Sequence, residues 1–433
     1  MKNNKPLHIF LVLSTLGVLS FVVLNRIFNG YFFEQIFFGL TGDALYDFFV
    51  FLNQNSTSAA AFVTGPNPPL VRFIFRFVFK SLPDTVQEEH PKVNLSPEPD
   101  KDLRINAFAS LCFILMILFA LVFMAKLCYD NFEGTKLQKK WFVVLALLST
   151  GVIWSIERGN IVIWAMVCTM YFCFYYDSED KKRREISYLL LGIAISLKIY
   201  PALFGLFLLK KKDIKGILKT ILYVAIFTLF PLFIAGGFDT IRAYIRSLFN
   251  QVSSGSNLRA GYLNGLSVML TGFRVVGYEE FFLNHLWFFR IINYAFSVLI
   301  SFIAVFVLKK KWMKVTMLVF AMFWLPGITH TYMLSFIIIP LVMFLNEEDK
   351  ISVQNVIAII GFVLLTTILP IPNGELVESL RDQTVVNVAN RLSGFMLIHI
   401  LGEIILSCLI MIRIVIEGVQ LIKQQLNKKI AVD

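Results

Sequence analysis

Twelve apolar stretches are the feature of this sequence that most restricts its fold. Crossing the hydrocarbon core of a bilayer takes about 20 helical residues. Several stretches reach that length, and the shorter ones must tilt or end where protein covers the backbone. The pattern predicts an all-α polytopic membrane protein with about 12 transmembrane segments. The stretches lie near residues 7–28, 106–127, 141–156, 161–176, 186–198, 201–209, 219–236, 288–308, 313–326, 332–345, 353–371 and 392–416.

Composition supports the same fold class. The chain is 57% hydrophobic and 16% charged, whereas soluble domains carry about 25% charged residues. A net charge of +11 would suggest a nucleic-acid partner in a soluble protein. In a membrane protein, basic residues collect beside the cytoplasmic ends of the spans, and this bias accounts for most of the charge. We therefore predict no nucleic-acid partner.

The basic clusters set the predicted orientation. Residues 136–140, 181–184, 210–212 and 309–311 all fall on the cytoplasmic side when the amino terminus is cytoplasmic. We therefore predict a multi-pass protein of the cell membrane that forms one integral membrane domain over residues 1–433. The predicted outer loops are 29–105, 237–287 and 372–391, and the predicted cytoplasmic tail is 417–433.

Under this orientation, Lys dominates the cytoplasmic side and Arg dominates the outer side. The planar guanidinium matches phosphate oxygens, so outer arginines suit a phosphorylated ligand. Interfacial anchoring and loop salt bridges are the alternative explanation. The five cysteines lie in or beside apolar runs, and no metal-ligand spacing or P-loop occurs, so we predict no metal and no cofactor.

The first outer loop contains two amphipathic patterns. Residues 42–54 predict a short helix with Asp43 and Asp47 one turn apart. An acid beside bulky apolar groups has a raised pKa and can serve as a general base. Alternatively, both acids only cap or solvate a surface helix. After Pro68-Pro69, the spacing of Arg72, Arg76 and Lys80 among phenylalanines predicts a helix in the headgroup plane.

Two tight turns hold charges at the membrane edge. Glu157-Arg158-Gly159-Asn160 separates two apolar runs, and ionisable residues at such depth indicate function. The alternative is a local Glu157–Arg158 pair. Lys198 lies in a second turn, which continues through Tyr200 to a proline. It requires a partner, such as a lipid phosphate or Glu157, unless it only extends to the interface.

Further candidates lie in the other outer segments. His330 sits in a turn between two spans, where a structural role and a catalytic role are both open. Arg259 is surrounded by Gly, Asn and aromatic residues, a composition suited to sugar or phosphate contact and equally to an ordinary loop. Arg391 precedes the final span and is a similar candidate for binding.

Together these motifs resemble glycosyltransferase family 87, over roughly residues 30–420. The resemblance rests on an outer acid after the first span, a Pro-Pro amphipathic helix, Glu-Arg-Gly-Asn, Leu-Lys-Ile-Tyr-Pro and a late outer His. It implies a GT-C-type membrane fold with amphipathic juxtamembrane helices in the first outer loop. It also implies transfer of a hexose, typically mannose, from a polyprenyl-phosphate donor.

The resemblance also implies residue roles. Asp47, or alternatively Asp43, would be the general base, and Arg158 and Lys198 would hold the donor phosphate. His330 would line the same cavity. The remaining matches are Glu157, Asn160 and Tyr200 in the two turns; Asn67 stands where an aromatic residue commonly precedes the Pro-Pro pair.

The sequence therefore predicts an inverting hexosyltransferase with its active site on the extracytoplasmic side. Its predicted partners are a polyprenyl-phosphate sugar donor, a lipid or glycan acceptor, and membrane lipids. A ligase or polymerase of lipid-linked glycans is one alternative, because it would also need phosphate-binding arginines. A polytopic transporter or flippase is another, although its charges would be expected nearer the span centres.

Overall fold

The computed structural model describes residues 5–36, 45–54, 68–89, 103–253, 265–325, 329–371 and 394–430. Every regular element within these ranges is a helix, so the all-α prediction is confirmed for them. The α-helices, in chain order, are α1 (Lys5–Ile27), α2 (Tyr31–Ile36), α3 (Tyr46–Gln54), α4 (Pro69–Lys80), α5 (Asp84–Glu89), α6 (Ala107–Asn131), α7 (Lys136–Leu147), α8 (Thr150–Arg158), α9 (Val162–Tyr175), α10 (Lys181–Leu197), α11 (Leu206–Lys211), α12 (Ile214–Ser253), α13 (Gly265–Val275), α14 (Glu279–Asn284), α15 (Leu286–Val307), α16 (Lys311–Trp324), α17 (Ile338–Glu347), α18 (Val353–Thr366) and α19 (Gly394–Ile430).

Short 3₁₀ helices complete the described elements. They lie at Leu103–Ile105, Tyr200–Gly205 and Thr331–Ile337. The second leads directly into α11 and the third into α17, so each continues an apolar stretch that the sequence predicted as one segment.

Within the described residues, five helices are long and apolar enough to cross a membrane, as judged by length and composition. A sixth is added if α7 and α8, which meet at a bend of 46°, count as one span. Helical residues fall within each of the twelve predicted stretches, yet the number of crossings near 12 stays a prediction. The five long segments are Lys5–Ile27, Ala107–Asn131, Ile214–Ser247, Leu286–Val307 and Gly394–Asn427.

Helix α12 extends well beyond the apolar stretch that predicted it. Its path is broken at Gly236 and Gly237, and Gly237 has a φ of +68° with a ψ of −149°, a conformation that only glycine adopts readily. Beyond this break the chain is helical again to Ser253. Residues 237–287, predicted as an outer loop, therefore also contain the end of α12, α13 and α14; their side of the membrane stays a prediction.

The chain divides into two compact units. Residues 37–127 and 152–256 form one, which we call the Asp47 unit. Residues 1–36, 128–151 and 257–433 form the other, which we call the C-terminal unit. The single domain over residues 1–433 stays a prediction.

In the Asp47 unit, α4 packs against α3, α10 and α12. The ring of Phe48 on α3 lies 5.3 Å, centre to centre, from both Phe75 on α4 and Phe113 on α6. The helix predicted after the Pro-Pro pair is confirmed as α4. However, its Arg72 is 3% exposed and lies on the same buried face as Phe75, so it does not share the exposed position of Lys80.

In the C-terminal unit, α19 packs closely on α18 and also contacts α15 and α16. Two glycines permit the close approach of α18 and α19. A Cβ atom at Gly361 would lie 2.5 Å from Leu406 Cγ, and one at Gly402 would lie 3.1 Å from the Gly361 carbonyl oxygen. A larger residue at either position would force the facing side chains or backbone to shift.

Candidate functional site

The carboxylate of Asp47 lies at the centre of a polar cluster in the Asp47 unit. Its Oδ2 accepts a hydrogen bond of 2.5 Å from Asn160 Nδ2, and its Oδ1 lies 3.2 Å from Arg158 Nη2. The Asp47 side chain is 11% exposed and that of Arg158 is 17% exposed. This near-complete burial makes the ion pair stronger than one at a water-exposed surface.

The turn between α8 and α9 determines how α3 meets these residues. Gly159 has a φ of +63°, and a Cβ atom there would lie 3.0 Å from Phe48 Cβ and 3.3 Å from the Leu45 carbonyl oxygen. The Leu45 N–H also donates to the Glu157 carbonyl oxygen at 2.6 Å. Glycine therefore allows both the turn and the close approach of the residue that precedes α3.

Asn160 connects the turn to the carboxylate. Its Oδ1 accepts the backbone N–H of Val162 at 2.9 Å, at the first residue of α9, where N–H groups lack partners within the helix. Because the oxygen faces Val162, the amide nitrogen faces Asp47. The orientation of the Asn160 side chain is thus fixed at both ends.

Arg158 has a second contact on the same helix as Asp47. Its guanidinium lies 5.5 Å from the centre of the Tyr46 ring, within range for a cation–π interaction. Tyr46 and Asp47 therefore hold Arg158 from two sides. Tyr46 was not predicted as a site residue, because no sequence motif links it to Arg158.

Lys198 brings a second positive charge close to Asp47. It follows the last residue of α10, and the next 3₁₀ helix begins at Tyr200 with Pro201 in its first turn. Burial lowers the pKa of Lys198 from its ordinary value, while the charge of Asp47 acts in the opposite direction. Asp47 therefore interacts electrostatically with Lys198, for which the sequence suggested a lipid phosphate or Glu157 as the partner.

The remaining predicted site residues fall into three groups. Glu157 is 6% exposed and adjoins the cluster through its backbone. His330 belongs to the C-terminal unit, where its ring lies 5.3 Å from that of Tyr332. Asp43, Arg259 and Arg391 lie outside the described residues. The cluster of Asp47, Arg158, Asn160 and Lys198 is therefore the part of the predicted site that the structure brings together.

The chemistry available to this cluster is acid–base chemistry and anion binding. It combines one carboxylate, two cations and one amide. Within the described parts of the chain, no group of three or more His, Cys, Asp or Glu residues could hold a metal ion. A carboxylate 3.2 Å from a guanidinium, with the charge of Lys198 acting on it as well, suits a reaction in which a proton is removed and a phosphate departs.

Comparison with protein families connects the cluster to a known class of enzyme. The family model of glycosyltransferase family 87 matches residues 104–343, more than half of the chain. The chain belongs to glycosyltransferase family 87. It is therefore a membrane glycosyltransferase of the GT-C type. No curated protein and no solved structure matches the chain significantly.

Only part of the cluster lies within the region that the family model matches. Arg158, Asn160 and Lys198 lie within residues 104–343, as does His330, whereas Asp47 precedes them. The family resemblance seen in the sequence is confirmed for this region, and the roles of individual residues stay predictions. The hydrogen bonds to Asp47 connect a residue outside the matched region to two residues inside it.

Proposed function

We propose that this family 87 protein transfers a hexose, mannose by family likeness, from a polyprenyl-phosphate donor to a hydroxyl group of a lipid or glycan acceptor. The observation that carries the proposal is the buried contact of Asp47 with Arg158 and Asn160. It joins an acid able to remove a proton to a cation able to receive a phosphate. These are the two requirements of a transfer in which the donor supplies its own leaving group.

Asp47 is the proposed general base. The acceptor oxygen forms a bond to the anomeric carbon of the sugar while the bond from that carbon to the phosphate oxygen breaks. The hydroxyl proton moves to Asp47, and the polyprenyl phosphate leaves with the electron pair. One displacement at the anomeric carbon inverts its configuration, so the product has the opposite anomeric form to the donor.

Arg158 and Lys198 are the proposed phosphate ligands. The Arg158 guanidinium pairs with Asp47. A donor phosphate would compete for the same planar donors, because carboxylate and phosphate oxygens match them equally well. Donor binding would therefore draw Arg158 from Asp47 and leave the carboxylate available for the acceptor proton. Lys198 would add a second positive charge near the departing phosphate.

Asn160 is the proposed positioning residue. Its amide donates to Asp47 Oδ2, while its own oxygen is held by the backbone of α9. This arrangement keeps the Asp47 carboxylate in one orientation when Arg158 moves to the phosphate. Pre-positioning of a base in this way contributes to catalysis because less reorganisation is needed as the proton moves.

The active site is proposed to face the extracytoplasmic side of the cell membrane. This assignment is supported by the basic clusters, which the positive-inside rule places in the cytoplasm. The turns that carry Arg158 and Lys198 lie at the opposite ends of the neighbouring helices from those clusters, since α10 begins with Lys181 and ends before Lys198.

A donor panel tests the proposed function. Purified protein in lipid nanodiscs would be incubated with polyprenyl-phosphate mannose, polyprenyl-phosphate glucose or a nucleotide sugar, together with a lipid acceptor extract, and the products analysed by mass. We expect hexose addition with a polyprenyl-phosphate sugar and no addition with the nucleotide sugar. Transfer from the nucleotide sugar alone would contradict the proposal. Products carrying many added units would identify a polymerase instead of a single-sugar transferase.

A further inference from the structure

The connection between α11 and α12 concentrates positive charge at the end of a predicted span. Three consecutive lysines, Lys210, Lys211 and Lys212, precede a single acid, Asp213; we call the three lysines the basic turn. Lys211 and Lys212 are exposed. The segment that begins directly after Asp213 is long and apolar enough to cross a membrane. The basic turn therefore lies where phospholipid headgroups surround a membrane protein.

The acids closest to the basic turn are engaged within the protein. Asp213 Oδ1 accepts the Gly216 N–H at 2.9 Å, and its Oδ2 accepts the Tyr188 hydroxyl at 2.5 Å. One turn before Tyr188, both carboxylate oxygens of Glu185 accept Lys219 Nζ, at 2.6 and 2.7 Å. Among the described residues, no carboxylate forms an ion pair with either exposed lysine of the basic turn. Their charge is thus open to an anion from outside the protein.

Lys212 occupies a backbone position that favours glycine. It follows the last residue of α11 with a φ of +57° and a ψ of +31°, the left-handed region in which a Cβ atom is unfavourable. The N–H groups of Lys212 and Asp213 donate to the carbonyl oxygens of Leu209 and Leu208, both at 3.0 Å. Helices that end in this way usually have glycine at the left-handed position. A lysine held there indicates that its side chain has a function that offsets the backbone cost.

Exposed apolar side chains flank the basic turn. Leu209, Ile214 and Leu218 are 44%, 59% and 61% exposed, respectively. Ile214 and Leu218 lie one turn apart on α12, and Leu222 continues the same exposed face along the span. Such a face contacts acyl chains, while the neighbouring lysines extend to the level of the phosphates. A cationic group beside an apolar surface is the combination that binds an anionic lipid most strongly.

We propose that the basic turn is a binding site for an anionic phospholipid of the adjoining membrane leaflet. The lipid phosphate would contact the ammonium groups of Lys211 and Lys212, and its acyl chains would lie along the exposed face of α12. The positive-inside rule places lysines near headgroups in general. The proposal goes further, because it assigns the binding to this turn, where no internal carboxylate competes for the two lysines. The site uses none of the residues proposed for sugar transfer.

A second pair of consecutive lysines provides a matched control. Lys181 and Lys182, at the start of α10, are exposed and belong to the same unit as the basic turn. They differ in their surroundings, because acids precede them at positions 177, 179 and 180 and offset their charge. Replacing this pair by glutamine changes the net charge of the protein by the same amount as replacing Lys211 and Lys212.

The test measures the Tm of the purified full-length protein in a neutral detergent during titration with three probes. These are dioleoyl phosphatidylglycerol, dioleoyl phosphatidylcholine and inorganic phosphate. We expect phosphatidylglycerol to raise the Tm to a plateau, because a ligand that binds the folded protein stabilises it. Added salt should weaken this effect. Phosphatidylcholine has no net charge and inorganic phosphate has no acyl chains, so neither should match phosphatidylglycerol.

The variants assign the effect to the basic turn. Lys211→Gln/Lys212→Gln should raise the half-saturating concentration of phosphatidylglycerol by about tenfold or more, whereas Lys181→Gln/Lys182→Gln should leave it nearly unchanged. Lys212→Gly should also raise that concentration. Its Tm without lipid should stay the same or rise, because glycine adopts the left-handed conformation readily.

Several results would overturn the proposal. One is a Tm that does not respond to phosphatidylglycerol, and another is an equal response to phosphatidylcholine or to inorganic phosphate. A third is an equal loss of the response in the two double variants, which would indicate a general effect of net charge. A fourth is a wild-type response to phosphatidylglycerol in both Lys211→Gln/Lys212→Gln and Lys212→Gly.

Discussion

At the scale of single residues, the pairing of Asp47 with Arg158 is the contact from which the proposed chemistry follows. The guanidinium is held by the Asp47 carboxylate and by the face of Tyr46. These two contacts hold the guanidinium in place, so that a phosphate could replace the carboxylate with little change in the side-chain conformation of Arg158. Lysine would supply the same charge without the planar arrangement of donors.

Substitution of Arg158 should impair use of the donor. We expect Arg158→Ala, and to a lesser degree Arg158→Lys, to raise the KM for the polyprenyl-phosphate donor, by about tenfold if one charge-assisted contact worth ~1.4 kcal/mol is lost. Initial rates at varied donor concentration measure this. Arg242→Ala is the control, because that side chain is 77% exposed. An unchanged dependence on donor concentration in Arg158→Ala would count against the assignment.

Lys198 should determine the alkaline limit of activity. Burial lowers its pKa, so the folded enzyme loses this charge at a lower pH than an ordinary lysine would allow. If the charge stabilises the departing phosphate, kcat/KM falls as pH rises through that pKa. Arginine stays charged over this range, so Lys198→Arg should move the fall to higher pH.

The control for this pH profile is Lys215→Arg, a substitution of an exposed lysine near the start of α12. It should leave the profile unchanged. An alkaline limb that is identical in wild type and Lys198→Arg would show that another group is responsible.

At the scale of elements, the short helix α3 and the α8–α9 turn form one structural unit through Gly159. Alanine at this position would have to adopt a left-handed conformation, costing about 1–2 kcal/mol, and its Cβ would press against Phe48. We expect Gly159→Ala to lower both the Tm and the transfer rate, because α3 carries Asp47.

Gly205→Ala provides the comparison for this prediction. Gly205 has open space around its Cβ position and no left-handed φ, so alanine should keep or slightly raise the Tm. Equal melting temperatures for wild type, Gly159→Ala and Gly205→Ala would contradict the proposed role of the turn.

Sequence patterns predicted the helices and turns of this site, but they did not predict which side chains contact one another. The spacing of apolar residues predicted α3 and α4, and the charges between apolar runs marked Arg158 and Lys198. The pairing of Arg158 with Asp47 spans 111 residues, a separation that no local pattern encodes. For the same reason, the sequence suggested a lipid phosphate or Glu157 as the partner of Lys198 and gave no indication of Asp47. It also predicted that the helix of Arg72 lies in the headgroup plane, although tertiary packing buries that side chain. The helix beyond Gly237 was missed because a glycine pair is typical of a helix end.

At the scale of the whole molecule, the proposed function requires a multi-pass membrane fold with the transfer site on the extracytoplasmic side. Long apolar helices and membership of family 87 establish the membrane glycosyltransferase. The orientation rests on the basic clusters alone. In helix α10, the first residues are basic and the last residue precedes Lys198, so the positive-inside rule places Lys198 at the end away from the cytoplasm.

Labelling of single cysteines tests the orientation. In a variant without the five native cysteines, Ser81→Cys should react with a membrane-impermeant thiol reagent in intact cells. Lys211→Cys should react only after the membrane is permeabilised. Both positions are exposed in the structure. If Lys211→Cys reacts in intact cells and Ser81→Cys does not, the protein has the opposite orientation to the one predicted.

Sugar transfer by three aspartate variants in nanodiscs tests directly whether Asp47 is the general base. Asp47→Asn should lower kcat by about 100-fold or more, the usual contribution of a general base, while Asp43→Asn and the exposed control Asp239→Asn should transfer sugar at nearly the wild-type rate. A folded Asp47→Asn protein that transfers sugar within a few-fold of the wild-type rate would contradict the account, as would loss of activity in Asp43→Asn alone.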